Sequence, residues 1–264
     1  MRLAVSMVAL LGCVTALAPT LAAQGNCSLQ TIQGTYVVAV NGFFGTAPYS
    51  VLGTVKNAAD GTTLANVTVA LPSGSFEQTS SGTLAVSPDC RATATYPEFT
   101  EEMLILRNGE EIRVLLVDPV TYGPWPRVQS GTAYRLSPGV NTVNSCSPAM
   151  VAGAYSQSCT GWFVPPGSTT FLPLGFLATL SIDGKTSFSG SGTWIAAGMK
   201  VPSVYQGGSY TLASDCRGTA SFQFQGNPAL YTERFLVFDQ GKEMVSITTS
   251  GQQIDMCRFT RMGR

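Results

Sequence analysis

Apolar and polar residues alternate along much of this 264-residue chain with a period of two. Tyr36, Val38 and Val40 interleave with Val37 and Ala39, and Ala220, Phe222 and Phe224 interleave with Ser221, Gln223 and Gln225. Successive side chains of a strand point to opposite faces, so such runs predict half-buried strands. Turn signals separate the runs: Asp60-Gly61, Asn108-Gly109, Asp183-Gly184 and Gln240-Gly241, each with a glycine suited to the positive φ of a tight turn. Between turns the pattern counts out as about eight strands in each half of the chain. Helical periodicity longer than two turns is confined to the amino-terminal segment.

The two halves are copies of one another. Ser87-Pro88-Asp89-Cys90-Arg91-Ala92-Thr93-Ala94 is answered by Ser214-Asp215-Cys216-Arg217-Gly218-Thr219-Ala220, and Gly42-Phe43-Phe44 by Gly161-Trp162-Phe163. Cys27 stands seven residues before Gly34-Thr35-Tyr36, as Cys146 stands before Gly153-Ala154-Tyr155. Asn108-Gly109-Glu110-Glu111 matches Gln240-Gly241-Lys242-Glu243, and Ala133-Tyr134-Arg135-Leu136 is set against Met256-Cys257-Arg258-Phe259. A repeat this long is a whole domain, since solenoid units run to about 20–50 residues. The expected organisation is a first domain over 27–136, a polar, turn-rich linker over 137–145 and a second domain over 146–262.

Eight antiparallel strands joined by hairpins can close into a barrel, which removes the edges an open sheet must protect. A β-sandwich of the same strand count is the alternative. The cysteines bear on this choice. Seven are present, and Cys13 falls in the amino-terminal segment. Cys27 with Cys90 and Cys146 with Cys216 occupy equivalent places in each copy and are expected to form equivalent disulfides. Cys159 and Cys257 occur only in the second copy, where Val40 and Tyr134 stand as their first-copy counterparts, and are expected to bond to each other. That bond joins the first strand to the last, which are neighbours only if the sheet closes on itself or comes near to it. A metal site is the competing use of these cysteines, but without histidine or Cys-x-x-Cys spacing no compact zinc site is indicated.

Residues 1–23 read as a secretory signal peptide cleaved near Ala23: a basic start, an apolar run over 3–17 and a small-residue end. The run is shorter than the roughly 20 residues a bilayer requires, and no later segment is apolar enough to cross one as a helix. A short membrane anchor, or lipidation at Cys13, are the lesser alternatives. The expected location is extracellular or periplasmic, where disulfides are the default. Asn26-Cys27-Ser28 and Asn66-Val67-Thr68 are glycosylation sequons.

Charge excludes one class of partner. Fifteen basic residues balance fifteen acidic ones, only 11% of the chain is charged, and no basic stripe is present, so nucleic acid is not an expected partner. The absence of histidine excludes Ser-His-Asp and Cys-His nucleophilic arrangements. No cofactor motif occurs either; Gly190-Ser191-Gly192 lies among strands and opens no helix. Glu98, Glu101 and Glu102 form the only acidic cluster worth weighing for carboxylate catalysis, and their spacing suits a solvated loop. Candidate ligand-binding residues are Tyr36 and Tyr155, at equivalent places on the first strands, and Arg135 and Arg258, on the last strands. Inside a barrel the arginines would bind a carboxylate; on the structural reading they pair with a nearby acid such as the shared Glu111 and Glu243, or lie outside.

The order of Cys, Gly-Thr-Tyr, Gly-Phe-Phe, a glycine-led strand ending in Asp-Cys, Asn-Gly-Glu and a final Gly-Thr-Ala resembles exported proteins with an allene oxide cyclase barrel-like domain. The resemblance spans both copies and implies two tandem eight-stranded, calycin-like antiparallel barrels, disulfide-stabilised. It implies little chemistry, because none of the cyclase's catalytic residues finds a matching position. Three functions follow from the sequence: an exported protein holding a small apolar molecule in a barrel, an isomerase or cyclase acting on a reactive lipid or polyketide, or a purely structural extracellular protein with solid barrels.

Overall fold

The computed structural model describes residues 26–116, 127–136, 146–165, 167–196, 198–250 and 253–263. The expected signal peptide, Cys13 and the linker over 137–145 lie outside these residues.

The chain forms two closed antiparallel barrels of eight strands each. Barrel 1 comprises β1 (Gly34–Phe44), β2 (Ala47–Asn57), β3 (Thr62–Leu71), β4 (Gly74–Val86), β5 (Arg91–Thr95), β6 (Thr100–Leu106), β7 (Glu111–Leu116) and β8 (Arg127–Arg135). Barrel 2 comprises β9 (Gly153–Phe163), β10 (Leu172–Ile182), β11 (Ser187–Ala196), β12 (Met199–Leu212), β13 (Arg217–Phe224), β14 (Asn227–Phe238), β15 (Glu243–Thr248) and β16 (Gln253–Arg261). Each sheet shuts where its last strand pairs with its first, β8 on β1 and β16 on β9. The sandwich alternative is thereby excluded. Short 3-10 turns precede β1 and β9 and join β6 to β7 and β14 to β15; among the described residues no helix is long and apolar enough to cross a membrane.

All three expected disulfides are present: Cys27–Cys90, Cys146–Cys216 and Cys159–Cys257. The third lies on the seam of barrel 2, where Cys159 and Cys257 face each other directly with Cα atoms 4.0 Å apart. The register corrects one sequence equivalence. The first-copy partners at this seam are Val40 and Gly131, so Gly131, and not Tyr134, is the counterpart of Cys257. Barrel 1 closes with a valine over a glycine where barrel 2 uses a covalent bond. The double substitution Cys159→Val with Cys257→Gly should therefore leave a closed barrel 2 that is about 2–4 kcal/mol less stable, readable as a lower denaturation midpoint with an unchanged strand signal in circular dichroism.

The barrels pack side by side through outward-facing residues. Val37, Ala39, Leu52 and Ala70 of barrel 1 meet Leu236, Phe238, Val245, Ile247 and Ile254 of barrel 2 in one buried cluster. This explains the unbroken apolar run in β1, whose strand is buried on both faces. At its rim Tyr134 stacks on Phe238 with centroids 5.6 Å apart, Arg258 donates to the Tyr134 hydroxyl at 2.7 Å, and Arg234 pairs with Glu77.

Candidate functional site

Strand alternation sends every second side chain into a barrel, and pairing between neighbouring strands aligns these residues in rows. In barrel 1 one inward row reads Val40, Val51, Val69 and Phe76 across β1 to β4. The corresponding row of barrel 2 reads Cys159, Phe176, Trp194 and Val201. Three valines thus stand where the second copy has half a disulfide, a phenyl and an indole. Barrel 1 consequently holds a cavity of about 270 Å3 lined by Val38, Val40, Val51, Val55, Val67 and Val69 together with Phe44, Phe76, Tyr96 and Phe99. In barrel 2 a space of about 40 Å3 lies among Leu180, Phe188, Tyr205 and Phe222, enough for no more than a few waters.

A polar chain crosses one end of the barrel 1 cavity. Tyr49 donates its hydroxyl to Gln129 Oε1, and Gln129 Nε2 donates to Glu101 Oε1 at 2.7 Å. The carboxylate can only accept, so the Gln129 amide is oriented with its nitrogen toward Glu101 and its oxygen toward the phenol. Tyr49 and Gln129 are buried at 3% and 5% exposure. Tyr96, opposite, has its phenol pushed up to about 12, first by burial and then by the nearby Glu101 charge.

The spacing of Glu98, Glu101 and Glu102 suits a solvated loop, but the structure places Glu101 on a strand with its side chain part-buried. β6 is a strand in which Glu101, Met103 and Ile105 share one face and Glu102 and Leu104 the other. The second copy repeats the pattern as Glu233, Phe235 and Val237 on β14. Both glutamates sit opposite matched alanines, Ala94 and Ala220. An acid heading an alternating apolar row was the available signal in both copies. Gln129 and Asp255 are matched in the same way, opposite Gly42 and Gly161.

In barrel 2 the equivalent acids are sealed in. Glu233 and Asp255 are 6% and 1% exposed, and Asp255 accepts from Thr248 and Gln253. Burial, reinforced by the Asp255 charge, raises the Glu233 carboxyl to about 8; burial also raises Asp255, against the hydrogen bonds it accepts. Tyr205 donates to Gln157 at 2.6 Å nearby. Cys159, Asp255 and Cys257 converge here, but both sulfurs are spent in the disulfide, and a thiolate is what a metal needs.

The structure brings Tyr36 and Arg135 together, at the end of barrel 1 away from the polar chain. Tyr36, 1% exposed, donates to the Gly109 carbonyl at 2.8 Å and accepts from Arg135 Nε and Nη2 at 3.1 and 2.8 Å, while Arg135 also donates to the Thr31 carbonyl. Gly109 has a φ of +83°, and a Cβ there would strike the Thr31 carbonyl, so the Asn-Gly turn admits only glycine. The same latch closes barrel 2, with Tyr155 donating to Gly241 at 2.5 Å and accepting from Arg261. The counterpart of Arg135 is therefore Arg261. Arg258 does not meet Tyr155; it lies on the outer face, paired with Glu243 at 3.0 Å and over the Tyr134 ring. None of Tyr36, Arg135, Tyr155 and Arg258 lines the barrel 1 cavity.

These features define an all-β, two-barrel protein with one hollow and one filled barrel. No protein-family model matches the sequence, and no curated protein matches it. A crystal structure of a protein of unknown function from the DUF3598 family, from Nostoc punctiforme, is similar over 89% of this chain and 97% of its own, at 10% identity and a TM-score of 0.27. A putative AttH from Nitrosomonas europaea is similar over 86% of this chain and 92% of its own, at 8% identity and a TM-score of 0.26. Likenesses this loose carry no argument about function.

Proposed function

We propose that barrel 1 binds one small apolar molecule and that barrel 2 is its rigid, disulfide-fastened support. The observation that carries this reading is the contrast between matched rows: Val40, Val51 and Val69 line a cavity of about 270 Å3, whereas in barrel 2 the same places are taken by the Cys159 disulfide and by Phe176 stacked on Trp194. Protein interiors are close-packed, and an empty apolar cavity forfeits dispersion contacts that a ligand restores. Small ligand sites are concave and mostly apolar with a few placed polar groups, as here with Tyr49, Gln129 and Glu101. Tyr36, Arg135, Tyr155 and Arg258 serve in this reading to latch barrel ends and join barrels. Three disulfides point to a non-cytoplasmic compartment, and we extend this to export after cleavage near Ala23. Native mass spectrometry of protein purified from its own source tests both: one lipophilic adduct per chain and a mass beginning after residue 23 are expected, and a clean full-length mass with no saturable binding of apolar probes overturns them.

An isomerase or cyclase of the allene oxide cyclase type is the second reading. It is favoured by Glu101 and Tyr49 on the wall of an apolar cavity, where a positioned acid assists a confined substrate. Glu101→Gln separates the two readings. Binding is expected to persist within about threefold, whereas turnover of a reactive substrate would fall at least about a hundredfold, measured by titration and by product formation on the same samples.

A further inference from the structure

We infer that the molecule held in barrel 1 is planar and aromatic, about two fused rings in size; this rests on the binding reading above. Barrel 2 is a second solution to the same frame, with the same strand number, closure and inward rows, and it shows what fills the space that barrel 1 leaves open. Val51 and Val69 pair on neighbouring strands, as Phe176 and Trp194 do. Those two rings stack with centroids 4.1 Å apart and planes 23° apart, and Phe224 meets Trp194 edge-on at 5.1 Å and 87°. Replacing two valines by phenylalanine and tryptophan adds about eleven non-hydrogen atoms to a close-packed interior, which is the size of a substituted naphthalene.

The wall facing this space is aromatic in both barrels. Tyr96 and Phe99 occupy the places of Phe222 and Tyr231, the pairs having centroids 4.7 and 5.6 Å apart. Barrel 1 therefore lacks the stacked plug but has the rings beside it. Ring edges and faces attract one another beyond simple area burial, a gain that a flat aromatic guest realises and a flexible alkyl chain does not. A chain must also give up its rotamer freedom to fit a compact cavity.

The test uses 2-naphthol and 1-decanol as probes, titrated into the full protein by calorimetry, and a variant in which barrel 1 receives the plug of barrel 2, Val51→Phe with Val69→Trp. One 2-naphthol is expected to bind per chain, at least about tenfold more tightly than 1-decanol. The filled variant is expected to lose that binding and to melt no lower than the natural protein. Should it fail to fold, Val51→Phe alone, which adds a single ring, is read in the same way. Tighter binding of 1-decanol, abolished in the filled variant, overturns the aromatic assignment while leaving the binding reading in place. Binding of 2-naphthol that survives the filling substitutions also overturns it, because the probe then sits elsewhere. If neither probe binds, the binding reading itself falls.

Discussion

Replacing Glu233 with Gln should raise stability at pH 8 by on the order of 4 kcal/mol and remove the part of the protein's loss of stability between acid and mildly basic pH that this carboxyl causes. The carboxyl lies in the filled core of barrel 2, and its upward shift to about 8 comes first from burial and then from the neighbouring Asp255 charge. Its ordinary value is 4.5. Below that value both the folded and the unfolded chain hold the proton, and the penalty is absent. As pH rises toward about 8, the unfolded chain releases a proton that the folded chain retains, so stability falls steadily and levels off above the folded value. Glutamine keeps the shape and carries no proton to release. Urea denaturation of both proteins at several pH values between 4 and 9 reads the difference, and two parallel curves would show that Glu233 does not govern the slope.

The second large effect is expected at the barrel latches. Arg261→Ala should cost about 3 kcal/mol, because it removes charged donors from the Tyr155 hydroxyl and the Met150 carbonyl and leaves both acceptors short of a partner. Arg135→Ala should cost barrel 1 a similar amount, through Tyr36 and Thr31. Arg258→Ala should cost less than about 1 kcal/mol, since its side chain is 45% exposed and its pairing with Glu243 and Tyr134 lies at the rim. Thermal unfolding of the three variants orders them directly. Equal losses for Arg258 and Arg261 would refute the assignment of Arg261 as the partner of Tyr155.

That assignment also marks where sequence patterns stop being sufficient. The strands, the duplication and two of the disulfides are legible because turns, glycines and cysteines occupy fixed places in both copies, and the third because Cys159 and Cys257 are together present in one copy and together absent from the other. The register of the last strand is not. Ten residues separate β7 from β8, but only four separate β15 from β16, so matching Arg135 to the nearest similar phrase selects Arg258 and misses Arg261 by three positions. For the same reason phrase matching sets Tyr134 against Cys257, where the register sets Gly131. Glu101 and Glu102 look solvated as an adjacent pair, and only the alternation of Glu101 with Met103 and Ile105 along the strand sets the first of them apart. Whether a barrel is hollow depends on the summed volume of residues far apart in sequence, such as Val40, Val51 and Val69, which only the inter-strand register brings into one row.

Closure of each sheet by its terminal strands has a consequence for a chain made from one end to the other. Cys27 and Cys90 emerge early and can bond while β1 to β5 form a meander, but β1 then presents an unpaired edge until residues 127–135 appear. The second half repeats the wait until residues 253–261, and the span from Cys159 to Cys257 is 98 residues. Such long-range closure is intrinsically slow. A chain cut short before β16 would carry an open apolar groove and a free strand edge together, and such a fragment is expected to self-associate through that edge.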